Sequence, residues 1–170
     1  AYEAASTLYG PQSALFLADQ ASCLARALRA PGDLERCSYG QRGALDRMQR
    51  VIAHARKRGV GVHVGVEDSG RSGLTYVCQA VVAAEEAGAL RFRFADSEGV
   101  MDPFACYAVF RRLCALTDLE LEFQGRNDLG LATANTLAAV RGGATHVSVC
   151  ALGDARRSAA LGEVLAALSE

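Results

Sequence analysis

The sequence predicts an α/β fold, a parallel sheet with helices on its outside. Three observations carry this. Residues 119–149 read as one strand–helix–strand unit: alternating apolar residues, a polar turn (Gly125, Arg126, Asn127, Asp128), a small-residue helix, a Gly142-Gly143 stop and a second alternating run. From residue 60 onward, strand and helix patterns alternate four times, which implies parallel strands joined by right-handed crossovers. Each predicted strand is apolar on one side only.

Taken in order, residues 7–14 lead into an amphipathic helix at 15–29, which Pro31 and Gly32 close. A loop at 30–39 precedes a helix at 41–58, where Leu45, Met48, Val51, Ile52 and Ala55 recur at three- and four-residue spacing. A strand at 60–66 leads to a helix at 73–87, ended by Gly88. A strand at 91–95 leads, through the loop from Asp96, to a helix at 103–116 with Pro103 in its first turn. The strand at 119–124 feeds a helix at 129–140, and the strand at 146–150 a helix at 158–168. No linker interrupts this pattern, so the expectation is a single domain over 1–170.

The strand faces differ in kind. Val62, Val64, Val66, Phe92, Phe94, Leu121, Phe123, Val147 and Val149 belong to the apolar side, which should meet the helices. His63, Arg91, Arg93, Glu120, Glu122, Gln124, Arg126, His146 and Ser148 belong to the other. That polar side reads as an ion-pair network, because buried charges must be paired. A polar pocket, or a metal on His63, His146 and a glutamate, are the alternatives that these residue types allow.

The composition is that of a globular chain able to fill a core: 170 residues, 51% hydrophobic, 22% charged. A net charge of −1 gives no pull toward nucleic acid or membrane. No apolar run reaches transmembrane length, and no signal peptide is recognisable. The six cysteines, Cys23, Cys37, Cys78, Cys106, Cys114 and Cys150, contain no Cys-x-x-Cys, and read as small core residues in a reducing cytoplasm.

The run Asn127-Asp128-Leu129-Gly130-Leu131-Ala132-Thr133-Ala134-Asn135-Thr136-Leu137-Ala138-Ala139-Val140 resembles the homocitrate synthase and isopropylmalate synthase family, most closely the nitrogen-fixation type of homocitrate synthase. The resemblance implies a partial, truncated TIM barrel of about five βα units. It also implies an acyltransferase ancestry that uses a divalent metal and acetyl-CoA. Residues 41–170 would match the carboxyl-terminal half of the barrel, and 1–40 a worn first unit and loop. There Thr7, Leu8, Gln12, Ser13 and Ala14 match the family's Thr-Leu-Arg-Asp-Gly-Glu-Gln-Ser-Ala, while Tyr9-Gly10-Pro11 replaces its catalytic arginine and metal-binding aspartate. The family's His-x-His before Asn-Asp is Gln124-Gly125-Arg126 here. Arginine has no lone pair for a cation, so no metal and no cofactor is expected.

Three loops carry the remaining candidates. Glu67, Asp68 and Arg71 match a family Glu-Asp-x-Ser-Arg pattern with Gly70 in place of its serine; from the residues alone, the loop reads as a cap for the next helix. In Asp96-Ser97-Glu98-Gly99, Ser97 stands for the family threonine that contacts the 2-oxo acid. Gly153-Asp154-Ala155-Arg156-Arg157-Ser158 departs from the family's Gly-Glu-Arg-Ala-Gly-Asn, and Arg156 and Arg157 would be solvated or meet a phosphate. The pocket candidates are therefore Glu67, Arg71, Ser97, Asn127 and Asp128, with no catalytic residue assigned. The first reading is a pseudoenzyme that binds a ligand or partner. The alternatives are an active acyltransferase with a rebuilt or subunit-completed site, and a metal-free enzyme on a small carboxylic acid. Five strands do not close an eight-stranded barrel, so a homo-oligomer, or a heteromer with a related subunit, is expected.

Overall fold

Every strand of the sheet runs in the same direction, and a helix follows each. The computed structural model describes residues 40–151 and 158–169. The first βα unit expected at 7–29, Cys23, Cys37 and the stretch 153–157 lie outside the described residues. The elements are α1 (Gly40–Arg56), β1 (His63–Val66), α2 (Leu74–Ala87), β2 (Arg91–Asp96), α3 (Pro103–Cys114), β3 (Glu120–Gly125), α4 (Ala132–Gly142), β4 (His146–Ser148) and α5 (Leu161–Leu168). The sheet order is β1-β2-β3-β4, parallel throughout. Four βα units are thus present among the described residues.

The apolar strand faces meet the helices as the alternation predicts. Val64, Val66, Phe92, Phe94, Leu121 and Phe123 are all buried. Phe94, Phe110 and Phe123 form the centre, with ring centroids 5.7 to 6.4 Å apart. Each such ring contributes about 2–3 kcal/mol by leaving water. On α1 the buried positions Ala44, Met48 and Ile52 fall four residues apart, one stripe that joins the core where α1 packs on α2. Of the described cysteines only Cys106 is fully buried; Cys114 is exposed. The core reading therefore holds for Cys106 and not for Cys114.

Helix ends follow local chemistry. Asp102 caps α3, accepting from the N–H groups of Phe104 and Ala105 at 2.8 and 3.0 Å, with Pro103 in the first turn. At the end of α4, Gly143 takes a left-handed φ of 115°. The preceding Gly142 is needed for a different reason: a Cβ there would stand 2.8 Å from the carbonyl oxygen of Tyr107, so α3 and α4 touch through this glycine.

Among the boundaries that differ from the expectation, three have a visible cause. The strand predicted from residue 60 starts at His63, because its ladder partner β2 starts at Arg91. The helix predicted from 129 starts at Ala132, because Gly130 turns the chain at φ 71°. The strand predicted through 150 ends at Ser148. Beyond it, Cys150 pairs with Ala160 instead of β3, its N–H donating to the carbonyl of Ala159 at 2.9 Å.

Candidate functional site

In a parallel sheet the carboxyl ends of the strands present their loops together, and ligands bind there. After β1, Asp68 sits at φ 53° and is buried. Its carboxylate accepts from Arg71 Nε and Nη2 at 3.1 and 2.9 Å, and its carbonyl accepts from the Ser72 hydroxyl at 2.7 Å. The Ser69 hydroxyl donates to the Val66 carbonyl at 2.6 Å. The loop is therefore closed on itself. It does not cap the next helix: Gly73 is the N-cap of α2, and no side chain hydrogen-bonds to that end. Glu67 is half-buried beside this turn.

At the end of β2, Asp96 is 1% exposed. Its Oδ1 accepts from the Val100 N–H and its Oδ2 from the Met101 N–H, both at 3.0 Å. Asp96 thus folds the loop over itself. The Ser97 Oγ accepts from the Asp68 N–H at 3.2 Å and ties the first two loops together. Glu98 lies 4.0 Å from Arg71. A Cβ on Gly70 would come within 2.8 Å of Asp96 Oδ1. A side chain at position 70 would therefore require the β2 loop to shift.

After β3, Arg126 grips Asp128 in a two-point contact, Nε to Oδ2 at 2.7 Å and Nη2 to Oδ1 at 2.9 Å. The Asp128 hydrogen bonds and charge push the guanidinium pKa up further. Asn127 Oδ1 accepts from the Ala132 N–H at 3.0 Å and so anchors the start of α4. These loops border a cavity of 290 Å³ lined by Ala95, Asp96, Ser97, Gln124, Gly125, Arg126 and Ser158. Of the five candidates read from sequence, Ser97 is in its wall. Glu67, Arg71, Asn127 and Asp128 are not. Asp96, Gln124, Arg126 and Ser158 are wall residues outside that candidate set. For Gln124 the signal was available: period-two alternation puts it on the polar face, and its register partners are Ala95 and Ser148.

Beneath the cavity the polar strand face forms the ion-pair network that the sequence suggested. Arg91 Nη2 meets Glu120 Oε2 at 2.8 Å, and Arg93 Nε meets Glu122 Oε1 at 2.8 Å. Arg91 Nη1 also reaches Glu122 at 3.7 Å, and the Ser148 hydroxyl donates to Glu122 at 2.6 Å. Arg91 Nη2 donates to His146 Nε2 at 2.7 Å, which places the imidazole proton on Nδ1, toward Thr145 Oγ1 at 2.9 Å. His146 and His63 face arginines here, and no group of three or more His, Cys, Asp or Glu able to hold a metal ion forms among the described residues. The residues present do not fit the family's divalent metal at the strand ends, where Gln124 and Arg126 stand.

Burial, then the Arg91 charge, lowers the His63 pKa below its ordinary 6.5. The Arg91 hydrogen bond lowers Glu120 below its ordinary 4.5. In both cases the folded state holds the proton less tightly than the unfolded chain. The stability each contributes is complete above the ordinary value and is lost as pH falls through the folded value. Urea midpoints should therefore drop from about pH 7 to about pH 5 through His63, and drop again in stronger acid through Glu120. His63→Asn should flatten the first drop and leave the second; an unchanged first drop would remove His63 from this role.

The family model described as HMGL-like matches residues 37–170. The chain is 40% identical over 126 residues to 2-isopropylmalate synthase 2 of Caldanaerobacter subterraneus, covering 73% of this chain and 33% of that protein. It is 40% identical over 133 residues to homocitrate synthase 1 of Nostoc sp., covering 76% of this chain and 35% of that one. It thus spans about a third of the length of these relatives. Among solved structures, the carboxyl transferase domain of Rhizobium etli pyruvate carboxylase superposes with a TM-score of 0.64 at 26% identity, over 74% of this chain and 23% of that domain. The parallel βα units are a partial TIM-barrel fold of the kind seen in these carboxyl transferase domains. No helix among the described residues is long and apolar enough to cross a membrane. The chain belongs to the HMGL-like family, with homocitrate and isopropylmalate synthases among its relatives.

Proposed function

We propose that this chain keeps the scaffold of its family without the metal-dependent condensation, and works as a binding or partner domain. One observation carries the reading: Arg126, at the position of a family metal-ligating histidine, donates along one edge to both carboxylate oxygens of Asp128. A guanidinium offers a cation no lone pair. A condensation of acetyl-CoA with a 2-oxo acid needs an electrophile to polarise the keto group and a base to form the enolate. Gln124 supplies neither a strong ligand nor a base. Asp96, which lines the cavity, already accepts two backbone N–H groups.

What remains at the strand ends is a hydrogen-bonding cavity. Ser97, Gln124 and Ser158 present hydroxyl and amide groups in its wall, which suits a small carboxylic acid. Such an acid could be held only, or turned over without a metal. The second reading is an active acyltransferase with a rebuilt site or one completed by another subunit; the 40% identity to named synthases favours it.

Turnover measured by mass spectrometry separates them. The protein is incubated with acetyl-CoA, a panel of 2-oxo acids, and Mg²⁺, Mn²⁺ or Zn²⁺ in turn. The expected result is no condensation product and no stoichiometric metal retained after desalting. Formation of homocitrate, isopropylmalate or a related acid would overturn the proposal. Mass detection avoids thiol reagents, which the cysteines would confuse.

A further inference from the structure

We infer that the outer face of α1 is a docking surface for the phosphate backbone of a nucleic-acid duplex. The net charge of −1 averages over an uneven distribution. Residues 40–58 hold six cations, Arg42, Arg47, Arg50, Arg56, Lys57 and Arg58, against one carboxylate, Asp46. This stretch is therefore +5, and the rest of the chain −6. All six cations are exposed. Arg71, Arg91, Arg93 and Arg126 each hold a carboxylate. Among the described residues no carboxylate pairs with any of the six on this stretch.

Two of the six have local surroundings of their own. Arg56 lies against Gly88, which ends α2, and a helix carboxyl end favours a cation. Arg42 stands one turn before Asp46. The other four form a row. Arg47, Arg50 and Lys57 recur at spacings of three and seven, with His54 between, and so share one face. Lys57 stays on the helical path, its N–H donating to the Ala53 carbonyl at 3.1 Å. Arg58 closes the row, its guanidinium donating to His54 Nε2. From Arg47 to Arg58 the row is about 16 Å long. The buried stripe of Ala44, Met48 and Ile52 lies on the far side of the helix.

The occupant follows from what the row lacks. The exposed large apolar side chains among the described residues all belong to other elements. A membrane-surface helix needs an apolar face to enter the lipid, and that face of α1 is packed in the core. A protein interface is anchored by aromatic and apolar groups, and this face offers none. Single strands are held by stacking on aromatic rings, and α1 carries no Phe, Tyr or Trp. A duplex backbone asks only for cations. Its phosphates, about one per 1.7 Å of axis, are dense enough to meet every member of the row. The guanidinium fork suits phosphate oxygens, and the negative remainder of the chain steers a polyanion to this side.

Fluorescence anisotropy of a labelled DNA duplex of about 20 base pairs, titrated with the full chain, should give a Kd on the order of 10 µM at about 50 mM salt, whatever the sequence. Log affinity against log salt should fall with a slope of about −3 to −4, the mark of four neutralised phosphates. Arg47→Glu with Arg50→Glu should weaken binding at least tenfold and keep the parent's urea midpoint, since both side chains are exposed. Arg111→Glu with Arg112→Glu, at an exposed basic pair on α3, should change binding less than threefold. Absence of binding at about 50 mM salt overturns the inference, as does a flat salt dependence or an equal loss in the two double variants. So does binding to phosphatidylglycerol vesicles or to polyglutamate as tight as to the duplex. None of these readouts involves turnover or the strand-end cavity, so this surface and the proposed loss of catalysis fail separately.

Discussion

Asp96→Ala is expected to lower stability by about 2–4 kcal/mol, read as a shift in the urea midpoint at constant slope. Asp96 is 1% exposed and its two carboxyl oxygens serve two different N–H groups, those of Val100 and Met101. Alanine removes both acceptors together, and a buried N–H without a partner costs most of its desolvation. Asp96→Asn keeps one acceptor oxygen and should lose roughly half as much. The damage should reach the neighbouring loop, because the Asp96 carbonyl also accepts from Gly99 and Arg126. Amide exchange at Val100 and Met101 should accelerate more than at the Phe94–Phe110–Phe123 centre. A loss below about 1 kcal/mol would mean that water replaces the carboxylate, and that Asp96 is free for chemistry after all.

Glu122→Ala comes next, at about 2–4 kcal/mol. Glu122 is 5% exposed and receives Arg93, Arg91 and the Ser148 hydroxyl. Removing one partner from a buried pair strands the others. The arginine side chains are 19% and 31% exposed, and water screening on that side keeps the figure below that for a fully buried pair. Replacing Glu122 and Arg93 together by leucine should recover much of the loss, since packed apolar groups often equal a buried ion pair. A Glu122→Ala variant within about 0.5 kcal/mol of the parent would show the pairing to be of no energetic account.

The faces of the sheet were legible in the sequence because a strand repeats every two residues. Phe92, Phe94, Leu121 and Phe123 could be assigned inward, and Arg91, Arg93, Glu120 and Glu122 to the opposite side, from alternation alone. Gly88, Gly143 and the Asp102-Pro103 pair marked helix ends by equally local chemistry. The carboxylates of the loops were harder. Asp68 and Asp96 have the look of caps or catalytic groups, yet each is occupied by hydrogen bonds within its own loop. Only the three-dimensional approach of the β1 and β2 loops, Ser69 to Ala95 and Asp68 to Ser97, shows how the two turns are held together. Strand limits were set by partners: His63 begins β1 because Arg91 begins β2. The cavity wall draws Asp96, Ser97, Gln124, Arg126 and Ser158 from three loops and two strand ends, and no spacing along the chain announces such a meeting.

In the β2–β3 ladder, Arg91 lies opposite Glu120 and Arg93 opposite Glu122. A slip of one residue would turn the charges of one strand into the phenylalanine layer. A slip of two keeps the faces but sets Glu120 beside Ala89 and Arg93 beside Gln124, so one charge of each sign loses its mate. The apolar layer, being phenylalanine and leucine throughout, tolerates that second slip far better than the charges do. The four ions therefore act as a vernier scale between the strands: the greasy side decides which way the strands face, and the charged side decides where along each other they stop.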